Sequence, residues 1–284
     1  MKKILYFDCF SGISGDMTIG ALIDLGIITK EEFLSELSKL NVDGFHVNFS
    51  RVDKFGIGAQ DIDVVLTNGE FADVHEITQN HEHVHSSNDL HNHEHSHESK
   101  LLHSHEHKHS HMHRNINDIS KIIEDSSISE NAKILSKKIF MRVAMAEAKV
   151  HGKSIEEVHF HEVGALDSIV DIVGTAILID LIKPDKIYSS VINDGYGFIQ
   201  CQHGYMPVPS PATAEIYAAS EILYKQVDVN NEMVTPTGAA IIAELADSFG
   251  ICPPIKIKKT GYGAGKRDFQ IPNLLRVVWG ETAK

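Results

Sequence analysis

Residues 4–26 run Ile4-Leu5-Tyr6-Phe7-Asp8-Cys9-Phe10-Ser11-Gly12-Ile13-Ser14-Gly15-Asp16-Met17-Thr18-Ile19-Gly20-Ala21-Leu22-Ile23-Asp24-Leu25-Gly26. The opening apolar run predicts a short buried strand over Ile4–Phe10. Ser11 to Asp16 is rich in small residues and predicts a tight turn. Met17–Leu25 predicts an apolar helix closed by Gly26. A strand feeding a helix through a glycine turn points to a mixed α/β or α+β class, and the rest of the chain keeps that interleaving.

Outward from this unit, Thr29-x-x-Glu32 is a capping box that opens a helix over Lys30–Leu40. Phe45–Val52 and Gln60–Thr67 alternate apolar and polar residues around Gly56 and Gly58, which predicts a hairpin. Past residue 115, Ser127-x-x-Glu130 predicts a cap for an amphipathic helix over Ile128–Val150, and Ser154-x-x-Glu157 a short helical turn. Ser168–Ile182 predicts a helix stopped by Pro184. Ile187–Ile192, Gly197–Gln202 and Leu274–Trp279 read as strands, Ala212–Ser220 and Gly238–Phe249 as helices. Met206–Pro211, with three prolines, reads as extended chain. This organises the chain as an N-terminal α/β segment (1–78), a histidine-rich insertion (79–114) and a main α/β domain (115–284).

The insertion is the compositional outlier. Fourteen of the 19 histidines lie between Val74 and Arg114, mostly as His-x-His steps: His81, His83, His85; His91, His93, His95, His97; His103, His105, His107, His109, His111 and His113. The spacers are polar, so no core can form there and the insertion reads as disordered. In extended chain, residues i and i+2 point the same way, so each step can offer two imidazoles to one late divalent metal ion. A floppy tract cannot fix coordination geometry, which makes it a metal reservoir rather than a seat of chemistry.

The formal net charge is −13 with neutral histidines. Such a chain repels nucleic acid and anionic membrane and suits metal cations. No apolar run reaches the roughly 20 residues of a membrane span. Asp8 breaks the N-terminal apolar stretch and no small-residue cleavage site follows it, so no signal peptide is read. Cys9, Cys201 and Cys252 are odd in number and widely spaced, which argues for reduced thiols and a cytoplasmic protein.

Four stretches carry candidate chemistry. His159-Phe160-His161-Glu162 places two imidazoles and a carboxylate ahead of Asp167 and Asp171, helical neighbours at i,i+4; together they could ligate Ni²⁺, Mn²⁺ or Mg²⁺. Asp167 and Asp171 also suit the first turn of a plain helix. In the turn after the first strand, Ser11, Gly12, Ser14 and Gly15 would offer backbone N–H groups to a phosphate, with Asp8 and Asp16 holding it through Mg²⁺. It is no Walker motif, and a bare strand–helix turn remains open. Thr237-Gly238, read as a helix start capped by Thr237, is a second anion holder. Gly261, Gly263 and Gly265, read as a loop, precede Lys266 and Arg267, cations suited to phosphate or carboxylate. His203 is a weaker candidate. Cys9 or Cys201 could be a nucleophile beside a histidine, or Cys9 a soft metal ligand, without support from spacing. No Gly-x-Ser-x-Gly elbow is present.

Asp8 to Met17, His159 to Gly174, His203-Gly204 with Pro207 to Thr213, and Thr235 to Ala239 with Gly261 to Asp268 and Pro272-Asn273 together resemble the nickel chelatases that complete the nickel-pincer nucleotide cofactor of lactate racemase. The resemblance implies insertion of Ni²⁺ into pyridinium-3,5-bisthiocarboxylic acid mononucleotide, with CTP consumed to CMP and pyrophosphate and aided by Mn²⁺ or Mg²⁺. It implies the pincer precursor as the bound partner; lactate racemase apoenzyme as a further partner and a homo-oligomer are separate expectations. Family members continue past Gly280 into a CTP-binding C-terminal domain, so the chain ending at Lys284 is expected to need that domain from elsewhere. Two other classes stay open: a non-catalytic nickel storage or delivery protein, and a metal-dependent phosphotransferase or nucleotide hydrolase built on Asp8, Asp16 and Asp167.

Overall fold

The N-terminal apolar run forms a central strand of a mixed sheet. A computed structural model describes residues 1–67, 114–160, 166–201 and 203–282. β1 (Lys3–Asp8) leads into α1 (Gly15–Asp24), α2 (Lys30–Leu37) and the hairpin β2 (Phe45–Lys54) and β3 (Ile57–Leu66). Next come β4 (Arg114–Asn115), α3 (Ile116–Asp125), α4 (Glu130–His151), β5 (His159–Phe160) and α5 (Leu166–Ile182). β6 (Lys186–Ser189), β7 (Ile192–Asp194), β8 (Phe198–Cys201), β9 (Gly204–Pro207), α6 (Pro211–Ala218) and β10 (Tyr224–Gln226) follow. The last elements are α7 (Pro236–Leu245), β11 (Ser248–Phe249), β12 (Ile255–Ala264) and β13 (Leu274–Thr282). The expected mixed α/β class is what the chain adopts. The reservoir histidines His81 to His113 lie outside the described residues.

Seven strands form one sheet in the order β11-β6-β1-β13-β12-β3-β2. β1 runs parallel to β6 and antiparallel to β13. Leu5, Phe7 and Cys9 point into the main core with α1, α5 and α7, and all three are wholly buried. α5 is apolar around most of its circumference, as a helix enclosed by others must be; Ile169, Val170, Ile172, Val173, Ala176 and Leu178 are all inaccessible to solvent.

Several local expectations are corrected. The first half of the stretch read as a glycine loop is the end of β12, where Gly261 and Gly263 face a helix instead of a ligand; Gly265, Lys266 and Arg267 follow in the loop expected. A β-carbon at Gly263 would overlap the Met17 carbonyl of α1, and one at Gly261 the Ala21 carbonyl. The small residues bring the helix backbone onto the strand. The long helix is capped by Ser129, whose hydroxyl accepts from Ala132 N–H (3.2 Å) and donates to Asp180 (2.6 Å). Ser127, the expected cap, is held in the preceding loop by its own N–H on the Lys39 carbonyl (2.8 Å). α3 went unread. Its apolar face is Ile116, Ile119 and Ile123, and Asn115 and Asp118 cap it reciprocally. The helix expected to reach Phe249 stops at Leu245, and Phe249 pairs with Ser189 in the sheet.

Candidate functional site

β1 ends at Asp8, and the chain turns through residues 9–14 before α1 begins. Two sides clamp this turn. Cys9 N–H donates to the Ser190 hydroxyl (2.9 Å), and Asn193 Nδ2 donates to the Phe10 carbonyl (2.9 Å). Across from them, Ile13 N–H donates to the Met233 carbonyl (3.1 Å) and Thr235 N–H donates back to the Ile13 carbonyl (3.3 Å). The start of α7 lies directly on the turn, since a β-carbon at Gly238 would overlap the Ile13 carbonyl. The turn therefore sits at the carboxyl ends of parallel β1 and β6, where two helix N-termini meet. Open α/β sheets bind ligands in that position, and both helix dipoles favour negative charge there.

Asp171 closes the cradle from α5. Its carboxylate occupies the volume that a side chain on Gly15 would need, so glycine at 15 is what lets α5 approach the first turn of α1. Ser14 precedes α1 in extended conformation without a side-chain cap bond; its hydroxyl donates to the Asp16 carboxylate instead. Asp167 lies one helical turn before Asp171, in the first turn of α5. Ser11 in the same turn is wholly buried, and its hydroxyl has no hydrogen-bond partner among the described residues.

The basic pair borders this cradle, each cation held by acids. Lys266 Nζ donates to Asp61 and Asp63 (2.6 Å each) and to the Ile62 carbonyl (2.8 Å). Burial works to lower its pKa, but hydrogen bonds to Asp61 and Asp63 and the nearby charge of Asp16 outweigh burial, so the net direction is up and Lys266 stays charged. Arg267 Nη1 donates to the Glu232 carbonyl (3.0 Å) and stands 3.3 Å from its buried carboxylate. That ties Arg267 to the residue before Met233, which in turn holds the turn.

The expected bracketing of the turn by two acids does not form as read. Asp8 alternates away from Phe7 and Cys9 to the far face of the sheet, where Arg276 of β13 pairs with it (Nε to Oδ2 3.0 Å). The expected cap of α7 is also corrected. Thr235, not Thr237, is the N-cap, and its hydroxyl takes the Gly238 N–H (3.1 Å); Thr237 is buried in the first turn. Cys9 gives no support to nucleophilic or ligand chemistry. Burial pushes its thiol up to about 12, so it carries no thiolate near neutrality.

His159 lies on β5, which pairs with β4 in the register Asn115↔His159 and Arg114↔Phe160. The first described residue after the histidine tract is thus hydrogen-bonded strand to strand with the expected metal-binding segment. His161 and Glu162 fall outside the described residues. Among the described residues, no three His, Cys, Asp or Glu side chains form a ready metal cage.

Sequence reading passed over Asp194. It is wholly buried at the end of β7 and accepts from Gly195 N–H (2.8 Å), Met233 N–H (3.0 Å) and the Tyr217 hydroxyl (3.3 Å). Burial drives its pKa upward, and these donors offset only part of that. It also passed over Arg276, a lone cation in the otherwise apolar start of β13, and that charge was the available signal.

Fold and site together define a mixed α/β protein with a glycine-turn cradle, edged by carboxylates and two anchored cations. The family model described as nickel insertion protein matches residues 5–284. The chain belongs to the nickel insertion protein family. It is 49% identical over 278 residues to a pyridinium-3,5-bisthiocarboxylic acid mononucleotide nickel insertion protein of Acetivibrio thermocellus, covering 98% of this chain and 60% of that one. Proteins of the same name from Clostridium acetobutylicum (48% over 287 residues; 98% and 64% covered) and Clostridium kluyveri (46% over 280 residues; 98% and 62% covered) are similarly related. The chain therefore spans a little over three-fifths of the length of these relatives. No solved structure matches it. Among the described residues, no helix is long and apolar enough to cross a membrane.

Proposed function

We propose that this chain carries out the metal-handling part of nickel insertion into pyridinium-3,5-bisthiocarboxylic acid mononucleotide, acting as a nickel chelatase of the lyase class in the cytoplasm. Nickel is the substrate ion. CTP, with Mn²⁺ or Mg²⁺, acts through the further length that the relatives possess, and the finished cofactor goes to lactate racemase apoenzyme. A homo-oligomer is the assembly expected.

The observation that carries this reading is the meeting of Asp171, the Gly15 turn and the start of α7 at one point of the fold. The nucleotide's phosphate is an anion suited to two helix N-termini. Among the described residues no three such groups form a cage, so the carboxylates of Asp171 and Asp167 on α5 would share a divalent cation with the substrate itself. Nickel gathered by the tract histidines passes to His159, His161 and Glu162, next to the root of the tract. Exchange from imidazole to the substrate's softer sulfurs then completes transfer, a direction in which thiolate-type donors favour late metals. Lys266 and Arg267, held by their own carboxylates, set the electrostatic rim and do not act as free anion clamps.

The test is conversion of the bisthiocarboxylate nucleotide to its nickel complex, with CTP present and the remaining part of a relative's chain supplied or withheld. Asp171→Asn and the double variant His159→Ala/His161→Ala are each expected to lower conversion by about tenfold or more. Full conversion by both variants overturns the site. Undiminished nickel binding with no conversion by the unaltered chain in any mixture means a storage protein. Phosphate release without nickel or nucleotide thiocarboxylate means a hydrolase.

A further inference from the structure

The end of α4 carries an arrangement that the cradle does not use. Glu147 and His151 are one helical turn apart, and His151 Nε2 stands 3.3 Å from Glu147 Oε2. The β8–β9 hairpin, whose register pairs Cys201 with Gly204, presents His203 at its tip. The His151 and His203 rings lie 5.0 Å apart, centroid to centroid, inclined by 39°. His203 is exposed and the His151 side chain is 29% exposed, so an ion from solvent can reach both.

We propose that His151 and His203 form a second, ordered binding site for a late divalent cation, with Glu147 as the carboxylate that orients His151. Three features support it. With metal–nitrogen bonds of about 2.1 Å, two imidazoles on one ion place their ring centres roughly 4.6 Å (octahedral) to 5.3 Å (tetrahedral) apart, a range that brackets the 5.0 Å seen here. A histidine that ligates through one nitrogen characteristically gives the other N–H to a carboxylate, and Glu147 faces Nε2, leaving Nδ1 as donor to the ion. Last, His151 ends α4, with Gly152 in left-handed conformation directly after it (φ 61°). A cation there gains from the negative end of the dipole of a 22-residue helix.

Two protein ligands leave the other positions to water, so the site binds moderately and exchanges freely. The imidazole donors suit Ni²⁺, Zn²⁺ or Cu²⁺ over Mg²⁺. If the nickel-insertion reading above holds, a site eight residues before His159 serves as a transfer point between reservoir and cradle. The site itself does not depend on that reading.

Crystals of the full chain soaked in excess nickel chloride, with diffraction data at the nickel absorption edge, test it directly. An anomalous peak bonded to both rings is expected, and it should vanish in His203→Ala. No peak there while nickel binds elsewhere overturns the site. Solution titration complements this, using a full-length chain whose histidines 81–113 are replaced by serine so that the tract does not mask one ion. His203→Ala and His151→Ala should each remove one nickel equivalent without changing the far-ultraviolet circular dichroism. Glu147→Gln should weaken that equivalent about tenfold with an unchanged melting temperature. Unchanged stoichiometry in both histidine variants overturns the proposal. Neither readout involves cofactor maturation, so that result leaves the insertion reading intact.

Discussion

Asp194 shows how one buried carboxylate sets the shape of a turn it never touches. It receives the Met233 N–H, and the Met233 carbonyl receives Ile13 N–H, so its position propagates through a single residue into the glycine turn. Replacing it with Ala strands two backbone N–H groups and is expected to destabilise the protein by about 1–3 kcal/mol. Asp194→Asn keeps an acceptor for both N–H groups and removes the charge. The folded pKa of Asp194 lies above its unfolded value, so the folded state binds more protons and stability is lost as pH rises from the ordinary aspartate range toward the raised pKa. The asparagine variant escapes that loss. Its melting temperature relative to the unaltered protein should therefore rise between pH 4 and pH 8, and a difference that stays flat or falls over that range refutes the assignment. At Gly15 the opposite limit applies. A methyl group there meets Asp171, so Gly15→Ala should destabilise by about 1–3 kcal/mol through overpacking and, on the proposed function, lower nickel insertion along with it.

At the scale of elements, the sequence was legible wherever a segment's own periodicity agreed with its environment. β1, α1, the β2–β3 hairpin and α5 follow from apolar runs and alternation. Segments decided by distant partners were not legible. β12 ends on two alternating glycines, Gly261 and Gly263, and reads as a loop because nothing local reveals that α1 will lie across it. The cap of α4 went to Ser129 over Ser127, though Ser127 has the better box spacing, because Asp180 of α5 engages the Ser129 hydroxyl. The difference is measurable. Ser129→Ala should cost about 1 kcal/mol of stability in denaturant unfolding, while Ser127→Ala should stay within about 0.5 kcal/mol. Equal effects would place the cap at neither residue. The cradle was half legible: each glycine or helix-start stretch stood out alone, but their convergence depends on α7 reaching the β1–α1 turn through Val234 and Ile13, a contact between residues 221 positions apart. The diversion of Asp8 to Arg276 was invisible because strand register, not composition, pairs them.

Across the whole molecule, the proposed function divides collection and placement of nickel between the histidine tract and the segment that follows it. The tract lies in sequence between β3 and β4, and β4 pairs with β5, so on that reading an ion bound by the tract would be tethered to the strand that carries His159. An ion already bound on the tract would face that segment at an effective concentration on the order of mM, so the tract matters most where its own affinity loads it at bulk nickel too low to load the segment directly. Removing residues 79–113, with Arg114 kept to preserve its pairing with Phe160, should therefore act only when bulk nickel is scarce. Insertion at submicromolar nickel should fall about tenfold or more, and insertion at millimolar nickel should match the intact chain within about twofold, since bulk supply then equals the tethered one. The melting temperature should not change, as expected of a stretch whose composition is too polar to build a core. If the shortened chain fails at millimolar nickel while remaining folded, the tract histidines take part in the transfer step itself, and the proposed division between collection and transfer falls.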